Sequence, residues 1–260
     1  MILDEIVAYK RTEVAERIAR RPAAHVAEAA EAAPAPAIFR DALTGPGLAF
    51  IAEIKSASPS SGLIRDHVDP LTQAQAYERG GASALSVLTD GRYFHGSWEQ
   101  LATVAHATRL PVLCKEFVID PYQIDEARAA GAAAILLITA ILGRDRLRDY
   151  LAHARRRGLA ALVEVHTADE VRDAVAVGAD IVGINNRNLA TLAVDLATTA
   201  QLRPLIPAGV VVVSESGFAR KEDVDQVRGL GVDAVLVGTS LMASPDPAAK
   251  LRELRGGLHA

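Results

Sequence analysis

Cysteine is nearly missing from this sequence of 260 residues, in which Cys114 is the only one. A disulfide within the chain is therefore excluded, and this composition is typical of proteins from a reducing compartment. The N-terminus also lacks the apolar core of a signal peptide, because charged residues recur throughout MILDEIVAYKRTEVAERIAR. We expect a cytoplasmic protein.

Long apolar runs and basic runs are missing as well. The longest largely apolar run, AAAILLITAIL at 132–142, is too short for a membrane span, which takes roughly 20 residues. Arg155-Arg156-Arg157 is the longest basic block and the formal net charge is −4, so we expect neither a membrane nor a nucleic acid as partner. The seven histidines show no metal-ligand spacing, and we expect no metal site.

Aromatic residues make up only 4% of the chain, whereas half of its residues are hydrophobic. The core must therefore consist mainly of Ala, Val, Leu and Ile. Residues 2–20 show apolar positions at helical spacing, and the Ala- and Pro-rich stretch 22–48 contains a shorter helical pattern. Eight apolar segments then predict strands: LAFIAEI at 48–54, SALSVL at 83–88, PVLCK at 111–115, AAILLI at 133–138, LAALVEV at 159–165, DIVGI at 180–184, GVVVV at 209–213 and DAVLV at 233–237.

Amphipathic segments separate these strands, and several of them end in Gly, which is typical of helices. Alternating strands and helices predict a parallel sheet, and eight units predict a (β/α)8 TIM barrel of the α/β class with an N-terminal helical extension. The alternative is a doubly wound open sheet. Such a sheet usually has a Gly-rich turn after its first strand, where this chain has KSASPSSG.

Polar side chains follow five of the predicted strands at the end where a barrel carries its active site. Each one alone could be a solvated loop residue. Their joint occurrence favours one shared cavity with the means for general acid–base chemistry. The residues are Glu53 and Lys55 at the first strand, Lys115 at the third, Glu164 at the fifth, Asn185 and Arg187 at the sixth, and Glu215 and Ser216 at the seventh.

Small residues follow the last two predicted strands. Gly217 comes directly after the seventh, and Gly238 and Thr239 come after the eighth. Either glycine alone would indicate only a turn. Because barrels of this kind commonly bind a phosphate in these two loops, the pair favours a phosphate site.

Seven motifs in this order resemble the indole-3-glycerol phosphate synthase family: AEIKSASPSSGLI, SVLTDGRYFHGS, LCKEFVIDPYQI, LVEVH, GINNRNL, SESGF and VLVGTSLM. The resemblance implies a single barrel domain over residues 1–260, in which residues 1–47 form extra helices over the catalytic face. It also implies closure of the indole ring of 1-(2-carboxyphenylamino)-1-deoxyribulose 5-phosphate with loss of CO2 and water. No cofactor is implied.

The same resemblance assigns roles to individual residues. Lys115 is expected to be the general acid for ring closure, and Glu164 to move a proton during dehydration. Glu53 and Lys55 are expected to hold the substrate and take part in proton transfer. The remaining expectations are substrate contacts by Asn185, Arg187, Glu215 and Ser216, apolar contacts with the anthranilate ring by Phe94, Phe117 and Leu189, and phosphate contacts by Ser58, Gly217, Gly238 and Thr239.

Other interpretations stay open on the sequence. Phosphoribosylanthranilate isomerase is another sugar-phosphate barrel, a Schiff-base aldolase would use Lys115 as a nucleophile, and a non-catalytic barrel would only bind a phosphate. The sequence also leaves the pKa of Lys115 open, because Lys55 would lower it whereas Glu53 and Glu164 would raise it. We expect a monomer that acts on a small sugar phosphate.

Overall fold

Eight parallel strands close into a barrel in a computed structural model, which describes residues 2–257. The domain limits expected at residues 1 and 260 lie outside the described residues. The barrel strands are β1 (Ala49–Ile54), β4 (Ala84–Leu88), β5 (Val112–Lys115), β6 (Ala134–Ile138), β7 (Ala160–Val165), β8 (Ile181–Asn185), β9 (Val211–Glu215) and β10 (Ala234–Val237), and a small hairpin of β2 (Ala57–Ser58) and β3 (Gly62–Leu63) follows β1.

Helices precede the barrel and connect its strands. Those before the barrel are α1 (Ile2–Arg20), α2 (Ala23–Ala32) and α3 (Phe39–Leu43). The others are α4 (Pro70–Gly80), α5 (Gly91–Phe94), α6 (Trp98–Ala107), α7 (Pro121–Ala129), α8 (Thr139–Arg156), α9 (Ala168–Ala176), α10 (Ala197–Leu202), α11 (Lys221–Arg228), α12 (Thr239–Met242) and α13 (Pro247–Arg255), and a short 3-10 helix covers Arg203–Leu205.

The predicted (β/α)8 barrel is confirmed, and the open-sheet alternative is wrong. Strand β10 pairs in parallel with β1, with Ala49 opposite Ala234, so the sheet has no free edge. Each predicted strand starts within two residues of its position in the structure. The largest difference is at β9, which begins at Val211 because Gly209 takes a positive φ of 88° in the preceding turn.

The two faces of β1 explain how the barrel positions polar groups. Ile51 packs inside the barrel, whereas Phe50, Ala52 and Ile54 pack against the surrounding helices. Since side chains alternate along a strand, Glu53 also points inward, one layer above Ile51. The interior is thus apolar at the start of the strands and charged at their carboxyl ends.

The N-terminal helices pass from one end of the barrel to the other. Residues of α1 line the cavity at the carboxyl ends of the strands, and α2 packs along α7 on the outside. At the opposite end, Phe39 and Leu43 of α3 are buried against the first residues of the strands, and Arg40 donates to the Gly209 carbonyl before β9 at 3.0 Å. The position of α3 therefore differs from the expectation that all of residues 1–47 cover the catalytic face.

None of the helices between residues 2 and 257 is long and apolar enough to cross a membrane.

Candidate active site

A cavity of about 550 Å³ opens at the carboxyl ends of the barrel strands. Its size is in the usual range for a site that takes a small molecule. Every site residue expected from the sequence lines it: Glu53, Lys55, Ser58, Phe94, Lys115, Phe117, Glu164, Asn185, Arg187, Leu189, Glu215, Ser216, Gly217, Gly238 and Thr239. The closed barrel thus brings together residues that lie up to 186 positions apart, from 53 to 239.

Glu53 and Lys55 at the end of β1 form an ion pair, with Lys55 Nζ 2.8 Å from Glu53 Oε1. The carboxylate of Glu53 is buried, and the Ser86 hydroxyl donates to its other oxygen at 3.4 Å. Burial alone would raise the pKa of Glu53, but Lys55 and Lys115 lower it below its usual value. Glu53 is therefore ionised at neutral pH.

Lys115 at the end of β5 lies between two carboxylates. Its Nζ is 3.5 Å from Glu164 Oε2 and 3.7 Å from Glu215 Oε2. Burial would lower the pKa of Lys115, but Glu164, Glu215 and Glu53 together raise it above its usual value. The sequence left open whether the pKa of Lys115 is raised or lowered. The carboxylates raise it, and Lys115 therefore carries a proton at neutral pH.

His166 holds Glu164 from the side opposite Lys115. His166 Nε2 is 3.3 Å from Glu164 Oε1, and Nδ1 is 3.3 Å from Glu170 Oε2. Burial opposes the charge on the ring, but the two carboxylates raise the pKa of His166 to about 10. Burial likewise opposes the charge on Glu164, while Lys115 and the His166 cation lower its pKa to about 2. Glu164 therefore stays ionised between two cations.

Glu215 at the end of β9 has a different charge state. Burial, together with the nearby Glu164 and Glu53 charges, raises its pKa to about 8 although Lys115 opposes the rise. Its Oε1 atom is buried without a hydrogen-bond partner among residues 2–257. Glu215 is therefore mostly protonated at neutral pH, in contrast to Glu53 and Glu164.

A hydrogen-bonded group of side chains joins the ends of β8 and β9. The Ser216 hydroxyl donates to Asn185 Oδ1 at 2.9 Å, and the Arg187 backbone N–H donates to the same oxygen at 3.0 Å. Ser216 takes a positive φ of 68°, which is uncommon for a residue with a side chain. The Arg187 guanidinium donates to the Leu192 carbonyl at 2.8 Å and so holds its loop in place.

The glycines after β9 and β10, which the sequence predicts to contact a phosphate, leave room that a side chain would fill. Gly217 has a φ of 99°, and a Cβ atom there would lie 2.9 Å from Val194 and Leu196. A Cβ atom on Gly238 would lie 2.5 Å from Glu53 Oε1. Thr239 begins α12 directly after Gly238, and Ser58 faces the cavity from the hairpin after β1.

Apolar side chains line the other end of the cavity. The rings of Phe94 and Phe117 have centroids 5.8 Å apart, and Leu189 lies in the same lining. Ile2, Leu3 and Ile6 of α1 complete this wall, and residue-by-residue reasoning missed them. Their helical spacing was visible in the sequence, but nothing in it indicates which surface that helix covers.

Between residues 2 and 257, no group of three or more His, Cys, Asp or Glu side chains could hold a metal ion. The acidic residues of the cavity are instead paired with Lys10, Lys55, Lys115 and His166.

The fold and the site define a class of (β/α)8-barrel enzymes that have buried ionisable groups and glycine-containing loops at the carboxyl ends of the strands. The fold also occurs in the tryptophan synthase α-subunit of Pyrococcus furiosus, with a TM-score of 0.62, 16% identity and coverage of 80% of this chain and 98% of that one. Thiamine phosphate pyrophosphorylase from Pyrococcus furiosus shares it too, with a TM-score of 0.61, 18% identity and coverage of 80% and 93%.

A family model described as indole-3-glycerol phosphate synthase matches residues 3–254. An indole-3-glycerol phosphate synthase of Dehalococcoides mccartyi (strain CBDB1) is 46% identical over 98% of this chain and 100% of its own length. One from Roseiflexus sp. (strain RS-1) is 46% identical over 98% of both chains. The chain belongs to the indole-3-glycerol phosphate synthase family, a family of carboxy-lyases that act in tryptophan biosynthesis.

Proposed function

We propose that this cavity converts 1-(2-carboxyphenylamino)-1-deoxyribulose 5-phosphate into indole-3-glycerol phosphate, CO2 and water. The observation that carries the proposal is the position of Lys115. Its ammonium lies between Glu164 and Glu215, in a cavity with glycine-containing loops after β9 and β10 and aromatic rings on the wall. A substrate with a phosphate and an aromatic ring matches these features.

Ring closure needs an acid at the ketone oxygen. In this step the aromatic carbon that bears the carboxylate attacks the ketone carbon, and Lys115 donates a proton to the oxygen as it becomes a hydroxyl group. The carboxylate then leaves as CO2, and the electrons of the broken bond restore the aromatic ring. The surrounding carboxylates keep Lys115 protonated, so it enters this step in its acid form.

Dehydration needs a proton donor for the hydroxyl group and a base for the carbon next to the nitrogen. The hydroxyl leaves as water, and loss of one carbon-bound proton gives the indole double bond. Glu164 is assigned the role of the base: Lys115 and His166 keep it ionised, so it enters this step able to take up a proton. These steps are proton transfers and a decarboxylation, so the proposal assigns no cofactor.

The remaining residues are assigned to binding. Ser58, Gly217, Gly238 and Thr239 contact the phosphate in this proposal, and Asn185, Arg187, Glu215 and Ser216 contact the sugar chain and the carboxylate. Phe94, Phe117 and Leu189 pack against the anthranilate ring. Glu53 and Lys55 hold the substrate and share in proton transfer, and the 2.8 Å ion pair between them supports this assignment.

The test is turnover of the purified protein with the carboxyphenylamino deoxyribulose phosphate. We expect indole fluorescence to appear together with one CO2 per product. Borohydride added during turnover should leave no covalent adduct on Lys115, because the lysine acts as an acid and not as a Schiff-base nucleophile. A folded protein that binds the substrate without turnover would contradict the proposal.

We also propose that the enzyme works as a cytoplasmic monomer without nucleic-acid partners, and sedimentation that is independent of concentration would support the monomer.

A further inference from the structure

Lys10 on α1 is a buried cation that the proposed chemistry does not use. Its side chain is fully buried, and its Nζ lies 2.8 Å from Glu13 Oε2, 2.8 Å from Asp90 Oδ2 and 3.1 Å from Glu116 Oε1. Burying a charge costs free energy unless partners compensate it. The position of Lys10 therefore depends on the carboxylates of Asp90 and Glu116, which are also fully buried.

Asp90 shapes the short segment that carries Phe94. It follows β4, and its Oδ1 accepts a hydrogen bond from the Tyr93 backbone N–H at 2.7 Å. This bond caps α5, whose last residue is Phe94. A shift of the Asp90 carboxylate would therefore move α5 and, with it, the Phe94 ring.

Glu116 shapes the segment that carries Phe117 and directly follows Lys115. Its Oε1 accepts a hydrogen bond from the Phe117 backbone N–H at 2.7 Å, and its Oε2 accepts one from the Thr89 hydroxyl at 2.8 Å. Burial raises the pKa of Glu116, and the charge of Lys10 opposes that rise. Without the ammonium, two buried carboxylates would face each other, and one would have to move or take up a proton.

The ammonium thus connects the two loops whose aromatic rings meet in the cavity at a centroid distance of 5.8 Å. We propose that Lys10 is a positioning residue for the aromatic end of the site: it holds Asp90 and Glu116 together and so fixes the spacing of Phe94 and Phe117. This inference rests on the proposed function, because it assigns the two rings to the aromatic part of the substrate. It also gives α1 a role in specificity, beyond that of a cover over the cavity.

The inference predicts a selective loss of affinity. Lys10→Met should weaken binding of indole-3-glycerol phosphate by about 10- to 100-fold, the range that lost contacts in an apolar pocket can cause. Binding of glycerol 3-phosphate should change less than about twofold, because that ligand lacks the ring and uses the loops after β9 and β10. Titration calorimetry with both ligands measures the difference, and the KM of the substrate should rise in parallel.

Val14→Ala is the matched control. Val14 lies on the same helix, is buried and packs with Val26 and Tyr122. This variant loosens the docking of α1 without removing a charge, so it should leave the ratio of the two affinities unchanged. If Lys10→Met does not fold, the same two affinities are measured for Asp90→Asn. The asparagine Oδ1 can still accept the hydrogen bond that caps α5, but the ion pair with Lys10 is lost.

Two results would overturn the inference. One is an equal loss of affinity for both ligands, and the other is no loss for either. Failure of the proposed function looks different: wild-type protein would then neither form indole-3-glycerol phosphate nor bind it, whatever residue stands at position 10.

Discussion

Glu215 is the residue in which burial and charge compete most closely. Glu53 and Glu164 each lie beside a cation at 3.5 Å or less and stay ionised, whereas Glu215 is 3.7 Å from Lys115 and shares it with Glu164. Burial raises the pKa of Glu215 most, and the charges of Glu164 and Glu53 add to the rise, so Glu215 takes up a proton with a pKa of about 8. A neutral carboxyl group can donate a hydrogen bond to a substrate oxygen, which a carboxylate cannot do.

Glu215→Gln should make the protein more stable relative to wild type as the pH rises. The pKa of Glu215 is about 8 in the folded protein and 4.5 for an unperturbed carboxyl group, so between these values the folded state binds more protons than the unfolded state. Wild-type stability is therefore lost as the pH rises from 4.5 to 8, and glutamine, which does not titrate, removes that loss. We expect a difference in the free energy of unfolding of more than about 1 kcal/mol between pH 5 and pH 8.

Urea denaturation at both pH values measures this difference. Glu28→Gln is the control, because Glu28 is an exposed residue of α2 far from the cavity. A Glu215→Gln effect that is the same at pH 5 and pH 8 would show that Glu215 is ionised in the folded protein.

Charge states of this kind could not be predicted from the sequence. The sequence indicated which titratable groups share the cavity, because these residues interrupt the apolar runs at the carboxyl ends of the predicted strands. It did not reveal that Lys115 lies closer to Glu164 than to Glu215, since those distances depend on how three strands pack around the barrel. The pair of Asp90 and Glu116 was missed for the same reason: its partner, Lys10, lies on a helix outside the barrel.

At the scale of elements, the strands and the N-terminal helices were predictable, but the places where those helices lie on the barrel were not. Each barrel strand is buried on both faces and therefore appears as a continuous apolar run. An amphipathic helix, by contrast, shows only which face is apolar. Phe39 and Leu43 indicate a helix that must be buried, but only the structure places α3 at the end of the barrel opposite the cavity.

The loop between β10 and α12 gives a prediction at this scale. Gly238→Ala would place a methyl group 2.5 Å from Glu53 Oε1 and 3.0 Å from Lys55 Nζ, so the ion pair has to shift. We expect kcat/KM to fall at least about tenfold, because a shift of this size in a positioned group costs roughly that much or more. The free energy of unfolding should change little, since a short movement of side-chain ends can relieve the contact.

Gly229→Ala is the matched control for this experiment. Gly229 follows α11 with an ordinary φ of −74°, and a Cβ atom there meets no atom within 4 Å among the described residues. Its kcat/KM should equal that of wild type. Full activity of Gly238→Ala in steady-state assays would mean that the Glu53–Lys55 pair does not need its present position.

At the scale of the whole molecule, closure of the barrel brings the residues of the site together in one cavity. Strand β1 pairs with both β4 and β10, and this closure places Glu53 near Lys115 and Glu215. The count of eight strand–helix units predicted the closure, and the rule that active sites lie at the carboxyl ends of strands then identified the cavity. The path of residues 2–43 along the outside of the barrel needed the structure, because it depends on surface complementarity between helices.

The measurement that tests the central claim most directly is indole formation by Lys115→Ala. With the carboxyphenylamino deoxyribulose phosphate as substrate, we expect wild type and the exposed-residue control Lys221→Ala to produce indole fluorescence at equal rates. Lys115→Ala should be slower by at least about 100-fold, the lower range for the loss of one acid–base group, while its thermal unfolding stays cooperative. Undiminished turnover by a folded Lys115→Ala protein would contradict the account and transfer the role of the acid to another group, with Lys55 the next candidate.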